Sequence, residues 1–409
     1  MRILLRPVNV LLIAGPIGLI SVANEWGNGL TFILLALSVI PLAGLIAGFT
    51  DSIADRLGDR VGGLLEAGLG NAAFIIIGVI SLSRGLDTLV RASIAGAIIS
   101  NTLFVLGMAF FIGTSRGVRQ KFNPGTGTSY SKLLALTVVA LVMPALAPAT
   151  GNTRFDISLI SAVVLILLFV AYLLFDIFHF RDLAYLEVNQ LKGEHISGKQ
   201  TEDQSITIEN ASVQEYRAEE VQAAAQRTTT HSARRARAQE SHLNPIVALV
   251  GLVIALIITV YFSETLVSVT EELTTKGAHF TIGAWDLGTF QLSELFVGLV
   301  VIPLIGTAAE HLSAIRSASD GRTEITIAVT AGAAIQVALL AAPLFVIVSI
   351  FLGGSRFDLF FNRFELAAFG LATFLFYLVT EDGEGSWLEG IQLLAFYFIF
   401  AGAALFIPA

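Results

Sequence analysis

The sequence predicts an all-α membrane protein of about eleven transmembrane helices, one N-terminal helix plus two inverted five-helix repeats. Composition is the first observation behind this prediction, because 55% of the 409 residues are hydrophobic and only 14% are charged, whereas soluble domains carry about 25% charge. The second is a series of apolar runs long enough to cross about 30 Å of hydrocarbon. The third is an internal repeat that relates the two halves of the chain at one constant offset.

Eleven apolar runs predict the spans. They lie near 8–23, 30–49, 62–82, 88–113, 131–149, 156–178, 244–262, 291–315, 324–351, 364–380 and 387–407. The first run follows Arg2 and Arg6 and has the outline of a secretion signal, with Ser21-Val22-Ala23 as a cleavage site. We interpret it as a retained first helix, since it completes the topology below.

A polar segment divides the apolar runs into two groups. We expect residues 1–26 to form the extra N-terminal transmembrane helix, 27–179 the first five-helix repeat and 244–409 the second. Residues 180–243 mix acidic and basic side chains with Gln, Ser, Thr and Ala. This composition predicts a polar cytoplasmic linker that is disordered or loosely helical.

Lys and Arg residues indicate the orientation of a multi-pass protein in the lipid bilayer. If the N-terminus is cytoplasmic, the loops on its side contain more Lys and Arg than the loops on the other side. The positive-inside rule therefore places the N-terminus in the cytoplasm and, after eleven crossings, the C-terminus on the opposite side.

Two short segments of the first half recur in the second. Gly70-Asn71-Ala72-Ala73-Phe74 matches Gly306-Thr307-Ala308-Ala309-Glu310, and Ala95-Gly96-Ala97-Ile98-Ile99-Ser100 matches Ala331-Gly332-Ala333-Ala334-Ile335-Gln336, both at the same offset along the chain. The third span runs from inside to outside and the eighth in the reverse direction, so the repeats are inverted. Inverted repeats with Gly-interrupted helices are typical of secondary transporters, whose site lies near the midplane.

Glu310 is the residue that most needs a functional explanation. A carboxylate at the centre of a membrane helix costs about 2.5–3.5 kcal/mol on insertion scales. The alternative is a helix-end acid that reaches the headgroups, because Arg316 follows six residues later. Helix packing by small residues would explain the Gly and Ala of the repeat. It does not explain the polar residues at matched places, which are Asn71, Ser100, Glu310 and Gln336.

These two segments resemble the paired signature repeats of the calcium/proton exchanger family (CAX), within the cation/calcium exchanger superfamily. The resemblance extends over nearly the whole chain. It includes Arg56-Leu57-Gly58-Asp59-Arg60, Leu103-Phe104-Val105-Leu106-Gly107, Lys121-Phe122-Asn123, Phe364-Glu365-Leu366 and Trp387-Leu388-Glu389-Gly390. It implies one extra helix, two five-helix repeats and cation/proton exchange.

The resemblance also implies a site. In this family each repeat contributes a Gly-Asn-Ala-x-Glu type motif, and the two Glu residues carry the cation and protons alternately. The second repeat keeps this acid at Glu310, followed by His311. In the first repeat, Phe74 stands in the position of the acid, and Ala333 stands where the family usually has a serine.

The expected ion-binding and proton-exchange residues are Glu310, His311, Asn71, Ser100, Thr307 and Gln336, with Glu310, Asn71 and Gln336 as metal ligands. Calcium prefers six to eight oxygen ligands, and these residues supply oxygens but one formal negative charge. A buried carboxyl group can hold either a proton or a cation. The free pKa of imidazole, near 6.5, suits His311 to proton exchange, although a buried neutral histidine is an equal alternative. We expect Glu66 at the cytoplasmic end of its span rather than in the site.

The sequence thus predicts a secondary active cation/proton antiporter that exchanges calcium for protons by alternating access, with no cofactor. One alternative is an antiporter for monovalent cations or with altered selectivity, because one carboxylate balances one positive charge. Another is a transport-incompetent paralogue that acts as a sensor or scaffold through 180–243.

We do not expect an enzyme or a nucleic-acid partner. The chain contains no cysteine, which excludes disulfides, thiolate metal sites and cysteine nucleophiles. Gly68-Leu69-Gly70-Asn71-Ala72-Ala73 fits a loose dinucleotide fingerprint but follows no predicted strand.

Overall fold

The computed structural model describes residues 7–114, 119–148, 150–178, 244–282, 285–290, 292–354 and 356–407. Helices α1 to α6 are Pro7–Ala23, Asn28–Leu69, Ala72–Ser83, Asp87–Gly113, Pro124–Leu146 and Asn152–Phe178. Helices α7 to α12 are Pro245–Lys276, Glu294–Gly306, Ala308–Ser319, Thr323–Ser349, Arg363–Thr380 and Trp387–Phe406. Strands β1 to β4 are Gln120–Lys121, Ala278–Ile282, Trp285–Phe290 and Glu384–Gly385.

The described residues confirm the predicted all-α membrane class. Eight helices of the described residues are long and apolar enough to span a membrane, and the number is nine if α8 and α9, bent by 65° at their break, count as one span. Two shorter apolar helices, α1 and α3, also occur in the described part of the chain. The predicted number of eleven spans stays a prediction, because length and composition do not decide whether the short helices cross.

One predicted boundary was wrong. Apolar runs at 30–49 and 62–82 predicted two separate helices, but helical structure continues from Asn28 to Leu69 and resumes at Ala72. This segment is not one straight rod, because a Cβ on Gly62 would lie 2.7 Å from the Ala54 carbonyl oxygen, whereas eight residues of a straight helix span about 12 Å. The apolar stretch long enough to span ends at Leu57.

Polar caps define where the later helices begin. Asn123 and Asn244 cap α5 and α7 through their side-chain oxygens, and each is followed by a proline at the first helical position, where a missing N–H is harmless. Helices α11 and α12 begin with capping boxes, Asn362 with Glu365 and Ser386 with Glu389. These caps explain why α5 starts well before the apolar run at 131–149.

Helices α4 and α10 form the centre of the bundle. In the most apolar stretch of α4, 83% of the residues are buried, and 72% in α10, against 28% in α6 and α12. Each central helix contains one π-helical turn, Ser100–Val105 in α4 and Val337–Ala341 in α10. Residues 101–105 of the first turn correspond to 337–341 at the offset of the sequence repeat, so the local helix geometry repeats with the sequence.

Two extended straps tie the halves together at opposite ends of α4. The first strap (119–123) pairs β1 with β4, and the Phe122 N–H donates to the Gly383 carbonyl at 2.9 Å. The second strap (357–361) is held by Asp358, whose Oδ1 accepts a hydrogen bond from Arg91 Nη1 at 3.1 Å. The connection after the third predicted span of each repeat is therefore fastened to the opposite repeat.

The linker expected at 180–243 lies outside the described residues, and so do residues 1–6 of the predicted first unit. The proposed division at 26/27, 179/180 and 243/244 stays a prediction.

Candidate functional site

Two helix breaks mark the candidate site, one in each repeat. Asn71 separates α2 from α3 with φ −96° and ψ 17°, and Thr307 separates α8 from α9 with φ −110° and ψ 21°. The two backbones therefore interrupt their helices in nearly the same conformation. Glu310 lies in the first turn of α9, directly after its break.

The two breaks approach each other through glycines. A Cβ on Gly70 would lie 3.5 Å from Glu310 Oε1, and a Cβ on Gly306 would lie 3.0 Å from the Cα of Phe74. These two contacts are repeat-related, because each pairs the glycine of one motif with the last residue of the other. The structure therefore places Phe74 and Glu310 at equivalent positions on the two sides of the pair.

Phe74 makes its side of the pair apolar. Its side chain is fully buried, and its ring centroid lies 6.0 Å from that of Phe345. Glu310, in contrast, is half-buried, and its Oε2 atom is inaccessible to solvent without a hydrogen-bond partner among the described residues. The equivalent positions thus provide one carboxylate and one packed aromatic ring.

Asn71 and Gln336 join the two repeats directly. Asn71 Nδ2 donates to Gln336 Oε1 at 3.0 Å, a contact between opposite halves of the chain. Asn71 is 1% exposed, and its own Oδ1 is buried with no hydrogen-bond partner in the described part of the chain. This arrangement orients the Asn71 amide so that its oxygen remains available to a cation.

Ser100 and Asn101 begin the π turn of α4, which packs against α10, the helix that carries Gln336. Ser100 Oγ donates to the Ala97 carbonyl at 3.2 Å, and Asn101 Nδ2 donates to the same carbonyl at 2.8 Å. Asn101 Oδ1 is buried, and no described group donates to it. Asn101 was not in the predicted site set, although it directly follows Ser100, which was.

Thr307 and His311 form a separate hydrogen-bonded pair at the start of α9. Thr307 Oγ1 donates to the Pro303 carbonyl at 2.8 Å and lies 2.9 Å from His311 Nε2. A hydroxyl has one proton, so the imidazole donates Nε2–H to Thr307. His311 is 5% exposed; this geometry fits the neutral, structural alternative for it as well as proton exchange.

The arrangement suits a cation that moves through the site. Asn71 Oδ1, Asn101 Oδ1 and Glu310 Oε2 are buried acceptor oxygens without partners among the described residues. An unsatisfied buried acceptor costs about 1–3 kcal/mol, and carboxylate and amide oxygens are ligands that calcium prefers. The described residues contain no group of three or more His, Cys, Asp or Glu that could hold a permanently bound metal.

Comparisons with known proteins agree with this geometry. A family model described as sodium/calcium exchanger protein matches residues 28–178 and 247–406. A Ca(2+)/H(+) antiporter of Aphanothece halophytica is 31% identical over 402 residues, which cover 97% of this chain and 96% of the relative. The Ca(2+)/H(+) antiporter ChaA of Bacillus subtilis (strain 168) is 31% identical over 396 residues, which cover 96% of this chain and 97% of that protein.

Solved structures show the same architecture. The structure of native YfkE is similar with a TM-score of 0.72 and 28% sequence identity, and the match covers 98% of this chain and 100% of that chain. The crystal structure of the H+/Ca2+ exchanger CAX has a TM-score of 0.59 over 97% of this chain and 91% of its own. Its 14% identity means that this second likeness concerns the fold alone.

Proposed function

The chain belongs to the sodium/calcium exchanger protein family, in agreement with the resemblance of its repeats. From this premise we propose that it exchanges Ca2+ for protons across a membrane. The full-length relatives that carry the name Ca(2+)/H(+) antiporter support the exchanged ions. The observation that carries the proposal is the carboxylate of Glu310, which lies at a helix break against Gly70 of the opposite repeat.

Glu310 is the exchange group. Its carboxylate holds a proton in one half of the cycle and the cation in the other, because the cation and the proton compete for the same oxygens. The buried amide oxygens of Asn71 and Asn101 contribute neutral ligands, and Ser100 adds a hydroxyl to the same π turn. Inverted repeats allow the protein to expose this site alternately to the two sides.

The remaining residues of the predicted set support the exchange group. Gln336 accepts from Asn71 and retains a second lone pair on its oxygen for the cation. Thr307 holds His311 through its hydroxyl. We therefore assign Glu310, Asn71 and Gln336 as cation ligands, together with Asn101. Thr307 and His311 are the pair that stabilises the break beside Glu310.

The protein is a multi-pass membrane protein in this proposal, with its N-terminus in the cytoplasm and its C-terminus on the opposite side. The distribution of Lys and Arg supports this orientation. Reaction of single cysteines with a membrane-impermeant reagent tests it directly, because the chain has no cysteine of its own.

Uptake into proteoliposomes tests the function. The wild-type protein should accumulate Ca2+ when the lumen is acidic, and Glu310→Gln should abolish this uptake because an amide cannot exchange a proton at that position. Glu264→Gln is the matched control, since Glu264 is an exposed acid within apolar α7, and it should transport normally. Parallel assays with Na+ and K+ measure selectivity. No pH-driven flux of Ca2+ would refute the proposal, and undiminished flux in Glu310→Gln would refute the site.

A further inference from the structure

A single carboxylate leaves a divalent cation only half neutralised. Calcium sites prefer two or more carboxylates to offset the charge of the ion, and Phe74 removes the acid from the position equivalent to Glu310. A second acid lies close to Gly70 in the chain. Glu66 lies one helical turn before Gly70 on α2.

Glu66 shares the face of α2 that meets Glu310. Residues four apart lie on the same face of a helix with Cβ atoms about 5–6 Å apart, and the Gly70 N–H donates to the Glu66 carbonyl at 2.7 Å, as in a regular turn. A Cβ added to Gly70 would lie 2.8 Å from the Glu66 carbonyl oxygen and 3.5 Å from Glu310 Oε1. The backbone of Glu66 and the carboxylate of Glu310 are therefore close neighbours.

This acid has no counterpart in the second repeat. At the offset that relates Gly70 to Gly306, Glu66 corresponds to Ile302, which is 1% exposed and apolar. Phe74 corresponds to Glu310. The first repeat therefore has the acid first and the large apolar residue eight positions later, whereas the second repeat has the apolar residue first and the acid eight positions later. The acid of the first repeat thus lies about two helical turns before the position equivalent to Glu310.

We propose that Glu66 is the second carboxylate of the cation site and replaces the acid missing at position 74. The assignment rests on the proposed exchange of Ca2+ and names the residue that supplies its second countercharge. It is the alternative to our expectation that Glu66 belongs to the cytoplasmic end of its span. Glu66 is half-buried.

Calcium binding to the purified full-length protein tests the assignment. Isothermal titration with CaCl2 should give a Kd at least about tenfold higher for Glu66→Gln than for the wild type, because the charge of the ligands tunes calcium affinity. Glu66→Asp keeps the charge and should bind more tightly than Glu66→Gln. Glu264→Gln, which removes an exposed acid from α7, should match the wild type. A wild-type Kd in Glu66→Gln would overturn the assignment.

A double variant separates lost charge from lost structure. Glu66→Gln with Phe74→Glu returns an acid to the position that faces Gly306, and it should bind Ca2+ more tightly than Glu66→Gln alone. Apparent melting temperature without Ca2+ monitors folding: if Glu66→Gln melts like the wild type, its weaker binding reflects the site. If it melts lower and Glu66→Asp binds no better than Glu66→Gln, the role is structural and the assignment fails. Absent wild-type transport would instead contradict the proposed function.

Discussion

Gly96→Ala tests the close crossing of α4 and α8 beside the site. A Cβ on Gly96 would overlap the backbone carbonyl of Leu299 in α8, and in return a Cβ on Gly298 would lie 2.6 Å from the Leu89 carbonyl of α4. A backbone carbonyl cannot leave by a rotamer change. The alanine therefore forces the two helices apart.

The magnitude follows from two opposing effects. Overpacking a well-packed interior costs about 1–3 kcal/mol, while Gly to Ala in a helix interior gains about 0.5–1 kcal/mol. We expect a net destabilisation of about 1–2 kcal/mol for Gly96→Ala. Gly332, its repeat-related counterpart on α10, is the matched control, because the nearest atom to its added Cβ is the Tyr172 hydroxyl at 3.8 Å. Gly332→Ala should be neutral or stabilising by up to about 1 kcal/mol.

Apparent melting temperature in one detergent, read by size-exclusion chromatography after heating, compares the two variants. The variants are ranked by melting temperature rather than by free energy of unfolding, because membrane proteins commonly unfold irreversibly in such an assay. The two variants should differ on the order of 5 °C, and Gly96→Ala should also transport more slowly than Gly332→Ala. Equal melting temperatures for the two variants would refute the reasoning, since the helix-propensity gain is the same at both positions.

Two further predictions concern the straps. Asp358→Asn should lower stability by about 1–3 kcal/mol. The reason is that Asp358, in a largely buried setting, forms an ion pair with Arg91 at 3.1 Å and lies 3.8 Å from Arg154. An unchanged apparent melting temperature would contradict this expectation. At the first strap, the hydrogen bond from Arg119 lowers the pKa of Glu384. The contribution of this ion pair to folding stability is therefore complete above the ordinary glutamate pKa and is lost as pH falls through the lowered pKa. Melting curves between about pH 3 and 7 should therefore show a smaller acid loss for Glu384→Gln than for the wild type, and the difference should shrink in about 1 M salt; parallel curves would exclude this contribution.

The fold class could be predicted from sequence because its determinants are local and periodic. Apolar runs indicate which segments lie in lipid. A segment in lipid must satisfy its backbone hydrogen bonds within the protein, and only helices or closed barrels do so. The constant offset that relates Gly70 to Gly306 likewise indicates a duplicated backbone requirement, and it makes Glu310 and Phe74 equivalent positions from sequence alone.

Helix boundaries were less predictable where polar residues remain helical. The apolar run at 244–262 ends well before α7, which continues to Lys276. Hydropathy marks where a helix meets lipid, whereas helical structure continues as long as backbone hydrogen bonding and packing favour it. The wrong boundary between 49 and 62 has the same cause.

Sequence by itself therefore determined the membrane class, the repeat and the acid that repeat retains, because these follow from composition and from residues close together in the chain. Tertiary structure alone decided which groups meet across the repeat interface: Asn71 with Gln336, Glu310 with Gly70, and Phe74 with Gly306. Such contacts join residues from opposite halves of the chain, and no local propensity encodes them. They depend on how closely two broken helices pack, and that distance is set by the glycines at the crossing.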